Sequence, residues 1–397
     1  MFIDASAVDS NLVLRGAPME KPVRTGSQRE KANRRSFLKK GVAAGAAAVS
    51  AGLLAARAPA FGQEGPEEKS GRLTPGDAAL LRFAAAAEIL ETDFWVQYNE
   101  LGGVPNTREV PGGSGNPAYT SALQVLDMDM PQYIHDNTDD EFTHQNFLNA
   151  YLISKGADPV DLERFRTLPG SSATGSSGKL RLTNLTQLTV DTSWWTRYRI
   201  CDHNPDLDPS FVFPQAVADL FKGQHTAIPR TDADTSDPNF LQAIANTAGF
   251  HFATIEQGGT TLYPAMAQRA THPEVLRILI SIGPTETMHF QTWQDKAGNA
   301  PPLTNIVDPV TGVSVSFPDL TSAGEDLKAN LIMPEPCPFI SPNLPPCSVI
   351  RPTQTKNIAK GVVKFLTDMG LFIGQSPAFF AFMQDLADDA DQGRRGR

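Results

Sequence analysis

The chain has 397 residues, a formal net charge of −10 and a hydrophobic fraction of 41%. This composition is typical of a globular protein, and the length allows one large domain or two smaller ones with an extensive core. The acidic balance argues against a nucleic-acid partner, because binding to phosphates requires a basic face.

The first 60 residues carry a charge of +6, whereas the remainder carries −16. Arg34 and Arg35 are followed by Phe37, by a weakly apolar run over residues 41–56 and by the small residues Ala-Pro-Ala at 58–60. This pattern looks like a twin-arginine signal peptide. We therefore expect residues 1–60 to be removed after export through the twin-arginine translocon to the periplasm or the extracellular space. The alternative is a basic linker followed by an Ala-rich helix.

Apolar residues spaced three and four apart, together with capping residues and prolines, predict the helices. In chain order these are 74–101, 119–127, 131–155, a short helix over 211–221, 238–270, 273–296, 355–371 and 377–390. Residues 156–238 have loop composition, with alternation over 180–190 that allows a short strand pair. No stretch outside the signal approaches 18 apolar residues, so we expect no stable membrane span in the mature chain.

Four long helices with one long crossover form the ferritin-like arrangement. The predicted fold is therefore an all-α, ferritin-like four-helix bundle with long loop insertions and extra C-terminal helices. We expect the bundle domain at 72–298, including the crossover insertion 156–238. Residues 299–397 are predicted to form a Pro-rich loop and C-terminal helices that pack on the bundle.

Two of the four long helices contain the motif Glu-x-x-His, as Glu141 with His144 and Glu286 with His289. Side chains at i and i+3 lie on one face of a helix, so each pair can reach one metal centre. The other two long helices each place a Glu in an apolar stretch, Glu88 and Glu256. Carboxylates with imidazoles suit iron and manganese, and this set is the ligand pattern of carboxylate-bridged di-metal proteins. The alternative is a solvated helix face.

Three more residues are candidates for supporting the centre. Glu91 lies one turn after the first single Glu, and could be a ligand or an outer acid. Trp95 and Tyr263 each follow a single Glu by seven residues, and either could carry electrons or simply pack in the core. Two further histidines, His135 and His251, lie on the metal-bearing helices outside the pattern and are predicted to be hydrogen-bonded structural residues.

The signal, the Ala-Glu-Ile-Leu-Glu-Thr-Asp-Phe-Trp segment at 87–95 and the two Glu-x-x-His helices resemble the bacterial exported ferritin-like family that includes desiccation-related proteins. The resemblance covers residues 80–155 and 240–297. It implies a ferritin-like bundle with a di-iron centre. The residues that match its ligands are Glu88, Glu141, His144, Glu256, Glu286 and His289.

The leading functional hypothesis is a di-iron oxidoreductase with two Fe or Mn ions per chain, which oxidises Fe(II) or reacts with O2 or peroxide during stress. A di-manganese, catalase-like enzyme is a close alternative. A non-catalytic, desiccation-protective binding protein of the cell envelope, with a structural bundle, is the alternative from another class. The sequence assigns no oligomeric state.

The chain has three cysteines. Cys337 and Cys347 bracket a Pro-rich loop, and in an exported protein a disulfide between them would stiffen it. Cys201 is left over and is predicted to be a buried thiol, since none of the three has the spacing of a metal or redox motif.

Overall fold

The computed structural model describes residues 71–105, 108–198, 212–324, 327, 333–350 and 356–393. Eight α-helices lie within these ranges. They are α1 (Pro75–Gly102), α2 (Pro117–Leu123), α3 (Met130–Ser154), α4 (Trp194–Arg197), α5 (Pro238–Ala267), α6 (Pro273–Ala297), α7 (Ile358–Asp368) and α8 (Pro377–Gln392).

The long helices begin where the sequence supplies a cap and a proline. Thr74 accepts a hydrogen bond from the Asp77 backbone N–H ahead of α1, and Asp237 caps α5 in the same way. In both cases the first helical residue is proline, which has no N–H to leave unsatisfied and a backbone angle already suited to a helix. The predicted ends of the four long helices therefore agree with the structure to within three residues.

The four long helices form two packed pairs, α1 with α3 and α5 with α6. Aromatic side chains join the pairs at the centre of the bundle. Trp95 stacks on Trp293 at 5.3 Å and on Phe252 at 4.8 Å between ring centroids, and all three are buried. Such large apolar surfaces contribute most of the core's stabilisation. The predicted all-α, ferritin-like bundle with a long crossover is confirmed.

The crossover between α3 and α5 is anchored to α1 by the buried carboxylate of Asp93. This group accepts hydrogen bonds from the backbone N–H groups of Leu182 and Thr183 at 3.0 and 2.9 Å. The expected strand pair over 180–190 is wrong. Leu188 instead makes an isolated antiparallel bridge to His225, so the alternating stretch pairs with distant chain and not with itself.

A short helix is predicted over 211–221, and in the described part of this range, residues 212–221, the structure has a 3-10 turn at Ala218–Phe221 in its place. The other 3-10 turns described are Glu163–Phe165 and Asp232–Thr235. Within the described part of the crossover, distant segments are joined by backbone hydrogen bonds, as in the pair between Leu188 and His225.

The described residues after the bundle form two small antiparallel ribbons and two helices. Strand β1 (Leu303–Val307) pairs with β2 (Ser314–Phe317), and β3 (Pro336–Cys337) pairs with β4 (Cys347–Ser348). Helix α8 packs on α1, and α7 lies between α5 and α8.

The cysteine pair needs a correction. Cys337 and Cys347 are directly opposite each other in the β3–β4 register, but no disulfide joins them. The Cys347 side chain is exposed and its sulfur lies 4.0 Å from the carbonyl oxygen of Ser348, whereas Cys337 is buried.

The twin-arginine segment and Cys201 lie outside the described residues. Among the helices that are described, none combines the length and the apolar character needed to cross a membrane.

Candidate metal centre

The six residues of the predicted ligand set lie together inside the bundle. They form two overlapping groups in which one donor atom from each member lies within 4.8 Å of the others. The first group contains Glu88, Glu141, His144 and Glu286, and the second contains Glu141, Glu256, Glu286 and His289. Glu141 and Glu286, one from each Glu-x-x-His motif, belong to both groups. Two carboxylates shared between two donor sets are what a pair of bridged metal ions requires.

In the first group, three carboxylates converge on one imidazole nitrogen. His144 Nδ1 lies 3.1 Å from Glu141 Oε2, 3.3 Å from Glu88 Oε2 and 3.4 Å from Glu286 Oε1. These donors come from α1, α3 and α6, so the cluster depends on the packing of three helices.

In the second group, His289 Nδ1 lies 3.2 Å from both Glu141 Oε1 and Glu256 Oε2. The other ring nitrogen, Nε2, lies 3.1 Å from a carboxylate oxygen of Asp140. A carboxylate behind a ligating histidine fixes the orientation of the ring and makes it a more basic ligand.

Two aromatic donors hold the single glutamates in place. Trp95 Nε1 on α1 donates to Glu256 Oε1 on α5 at 3.2 Å, and the Tyr263 hydroxyl on α5 donates to Glu88 Oε1 on α1. In each glutamate the second oxygen faces the imidazoles. Each single Glu is thus oriented by the aromatic residue of the opposite helix.

Asn137 links the two halves of the cluster. Its side-chain N–H₂ group donates to Glu141 Oε1 at 2.9 Å and to Glu256 Oε1 at 3.0 Å. Its carbonyl oxygen in turn accepts from Trp293 Nε1 at 2.7 Å. Both the N–H₂ group and the carbonyl oxygen of this amide are therefore hydrogen-bonded. The Oε2 atoms of the two carboxylates, which the amide does not contact, face the imidazoles.

A fifth carboxylate, Glu91, is buried beside the cluster. Its Oε1 atom has no hydrogen-bond partner among the described residues. The corresponding position on α5 is Gly259, where a Cβ atom would come within 2.6 Å of Glu286 Oε2. A side chain at position 259 would therefore overlap the carboxylate of Glu286. At this position α1 has a buried glutamate and α5 has a glycine.

The pKa of Glu141 is shifted in the opposite direction to the pKa values of Glu88, Glu91 and Glu286. Burial raises the pKa of Glu88 to about 7, against the lowering effect of His144. The pKa values of Glu91 and Glu286 are raised well above the ordinary range by burial and by neighbouring carboxylates. Burial also acts to raise the pKa of Glu141, but hydrogen bonds to both histidines outweigh it and the pKa is lowered.

These residues fit a pair of divalent ions. Glu88 Oε2 and both oxygens of Glu286 are buried, and apart from the approach of His144 Nδ1 to two of them they have no hydrogen-bond partner among the described residues. A buried charge of this kind must be compensated by a cation or by protonation. Four carboxylates, two of them shared between the donor groups, and two imidazoles supply the oxygen and nitrogen donors that iron and manganese accept.

The other predicted residues lie apart from the cluster or support it. His135 contacts Glu109 at 3.2 Å, and His251 contacts the Tyr98 hydroxyl at 2.9 Å; neither belongs to the two donor groups. Sequence reasoning missed Asp140 and Asn137. Asn137 precedes Glu141 by four residues and so shares its helix face, which is a usable signal. No such spacing indicates Asp140, because its partner His289 lies on another helix.

Comparison with known protein families matches residues 76–299 to the family described as ferritin-like domain, which is more than half of the chain. Comparisons with curated proteins and with solved structures find no match. The matched range begins at the start of α1 and ends just after α6, so it contains all six residues of the two donor groups. The chain belongs to the ferritin-like domain family.

Proposed function

We propose that this protein binds two iron or manganese ions between its four long helices and uses them to oxidise Fe(II) or to react with O2 or peroxide. The observation that carries the proposal is the sharing of Glu141 and Glu286 between two donor groups that each contain one histidine. One ion would be held by Glu88 and His144, the other by Glu256 and His289.

When bound, a pair of such ions supplies two-electron redox chemistry. Such a pair would supply two electrons, which together with two protons convert one O2 to hydrogen peroxide, or one hydrogen peroxide to two water molecules.

The chain's own residues provide orientation and charge. Trp95, Tyr263 and Asn137 fix the ligand oxygens before any ion arrives, which lowers the ordering cost of binding. The buried carboxylates would compensate the positive charge of the ions. The aromatic residues of the core exclude water from the side of the cluster that they cover.

Ions have a polar approach to the centre on the α3–α6 side. The side chains of His144 and His289 are each 11% exposed, and Asp140 beside His289 is 49% exposed. A carboxylate at the surface attracts a divalent cation and lies within hydrogen-bond distance of a ligand. This side is where we expect Fe(II) to reach the cluster.

We further propose that the protein acts outside the cytoplasm, in protection against oxidative or drying stress. The basic segment with Arg34 and Arg35 supports export through the twin-arginine translocon. Replacing both arginines by lysine should leave the uncleaved protein inside the cell, which fractionation and N-terminal sequencing would detect. Normal secretion of this variant would contradict the proposal.

The central experiment is metal analysis of the purified protein after anaerobic loading with Fe(II) or Mn(II). We expect about two ions per chain, as a bridged pair requires. Glu141→Gln should lose both ions, because Glu141 belongs to both donor groups. Asp136→Asn is the matched control, since Asp136 is an exposed carboxylate on the same helix.

Loading should also raise the melting temperature of the wild type but not of Glu141→Gln, because only a folded site binds the ions. Bound metal that consumes neither O2 nor peroxide would favour the non-catalytic protective protein. Absence of bound metal in a well-folded wild type would contradict the proposal as a whole.

A further inference from the structure

A small cavity lies beside the candidate metal centre, between α1, α5 and α7. Its volume is about 40 Å³. A space of about 10–15 Å³ is already enough for one water-sized molecule. Most of its wall is apolar and includes Leu90, Phe94, Leu262, Phe365, Leu366 and Leu371.

The inner end of this cavity is formed by Glu88, Glu91 and Tyr263. The Tyr263 hydroxyl already donates to Glu88, and Glu91 Oε1 has no partner among the described residues. A molecule in the cavity therefore lies against a residue of the first donor group. The two carboxylates disfavour anions at this end, and the small volume excludes larger organic molecules.

A second cavity, of about 150 Å³, adjoins the first. Gly258 on α5 and Val362 and Phe365 on α7 line both spaces. The outer cavity is also lined by Arg197 and Thr261, which are partly exposed. The two spaces thus lie side by side, and the outer one has more polar residues in its wall than the mostly apolar inner one beside Glu88.

Phe365 is the large side chain at the boundary between the chambers. Across from it, a Cβ atom added to Gly258 would have Phe365 Cε1 as its nearest neighbour, at 3.7 Å. The glycine therefore leaves space that any larger residue would fill. Phe365 is only partly buried, and rotation of a side chain at such a position is fast compared with movement of a helix.

Helix α7 itself is fixed at both ends. Asp391 accepts hydrogen bonds from the backbone N–H groups of Ala359 and Lys360 at 3.2 and 3.1 Å. Beyond the other end, the carbonyl oxygen of Met369 accepts from the Thr189 N–H at 2.8 Å. Passage of a molecule from one chamber to the other would therefore require movement of the Phe365 side chain and not opening of the helix.

We propose that the two cavities form an access route for dioxygen, with Phe365 as its gate, which leads to the Glu88 side of the centre. Dioxygen is small, uncharged and apolar, so the inner chamber imposes little desolvation cost on it. Hydrogen peroxide would leave polar atoms unpaired at the apolar boundary, at a cost of about 1–3 kcal/mol per group. The catalytic meaning of this route rests on the proposed function, whereas the binding of an apolar gas does not.

Xenon is the probe, because it binds in apolar cavities and its binding requires no metal ion. Crystals of the metal-free protein under xenon pressure should contain a xenon atom in the inner cavity. Gly258→Ala should lower its occupancy at least fivefold, since the added methyl group occupies the boundary. This variant should fold, because alanine is preferred to glycine within a helix. Lys364→Ala, on the exposed face of α7, is the control and should bind xenon like the wild type.

The second measurement uses the Fe(II)-loaded protein. Gly258→Ala should bind as much iron as the wild type but react with O2 at least fivefold more slowly at low O2, with an unchanged rate toward peroxide. Phe365→Leu should accelerate the reaction with O2. Wild-type crystals without xenon in the inner cavity would overturn the route even if the protein binds iron. Xenon bound as expected in a protein that takes up no metal would instead overturn the proposed function.

Discussion

Trp95 and Tyr263 exchange partners across the bundle. Trp95 lies seven residues after Glu88 but donates to Glu256, whereas Tyr263 lies seven residues after Glu256 but donates to Glu88. Each hydrogen bond leaves the second carboxylate oxygen facing a histidine. The same spacing, a glutamate followed seven residues later by an aromatic donor, therefore occurs on both α1 and α5. The aromatic residue of each helix orients the glutamate of the other helix by a hydrogen bond.

Removing either aromatic donor should weaken metal binding without unfolding the bundle. We expect Tyr263→Phe to lower the affinity for Fe(II) or Mn(II) about 10–100-fold, the range typical of groups that orient a ligand. Trp95→Phe should have a smaller effect, because Asn137 still donates to Glu256. Calorimetric titration of the metal-free protein measures both.

Tyr98→Phe is the matched control for these variants. Tyr98 is also a buried aromatic residue on α1, but its hydroxyl contacts His251 and no residue of the two donor groups. Equal losses of affinity in Tyr98→Phe and Tyr263→Phe would show that the effect is general loosening of the core and not loss of ligand orientation.

The contact between Asp140 and His289 makes the surroundings of the two donor groups different. Among the described residues, the carboxylates that contact His144 all lie at Nδ1, and none lies at Nε2 as Asp140 does at His289. We expect Asp140→Asn to weaken the ion bound by His289 at least tenfold while the ion bound by His144 is retained. A titration should change from two tight ions to one tight and one weak ion. Simultaneous weakening of both, or of neither, would contradict this assignment.

His251 makes the metal-free protein sensitive to acid. Burial lowers its pKa from 6.5 to about 3, so the unfolded chain binds a proton that the folded chain excludes between these values. The free energy of unfolding should therefore fall as the pH decreases through this window, by up to about 1.4 kcal/mol per pH unit from this residue.

His251→Gln should flatten this dependence, measured by urea unfolding of the metal-free protein from pH 7 to pH 4. The carboxylate cluster titrates in both proteins, so its contribution cancels in the comparison. Tyr98→Phe keeps the buried histidine and should keep the slope. An unchanged slope in His251→Gln would show that other groups cause the acid sensitivity.

The sequence alone predicts the parts of this site that follow helical periodicity. Glu141 and His144 share a face because they are three residues apart, and the same spacing finds Glu286 and His289. Asp140 could not be found in this way, because its role depends on how α3 packs against α6. The predicted strand pair over 180–190 failed for a related reason, since its backbone bonds go to distant segments such as His225.

Substitutions at two adjacent glycines on α5 allow metal binding and gas access to be tested separately. A Cβ atom at Gly259 would have its three nearest neighbours in Glu286, with Oε2 at 2.6 Å, Cγ at 3.0 Å and Cδ at 3.1 Å. The side chain of Glu286 can move away, so Gly259→Ala should fold, but the shared carboxylate can no longer take its place between the two donor groups. We expect this variant to bind at most one ion per chain in metal analysis.

Gly258→Ala is the natural control, because it adds the same methyl group one residue earlier on the same helix. There the nearest atom is Phe365 Cε1 at 3.7 Å, an ordinary contact distance. Gly258→Ala should therefore bind two ions and lose xenon, whereas Gly259→Ala should lose metal. Circular dichroism and melting temperatures without metal verify that both are folded. Full metal binding by Gly259→Ala would show that Glu286 is not a shared ligand, because a displaced Glu286 cannot join both donor groups.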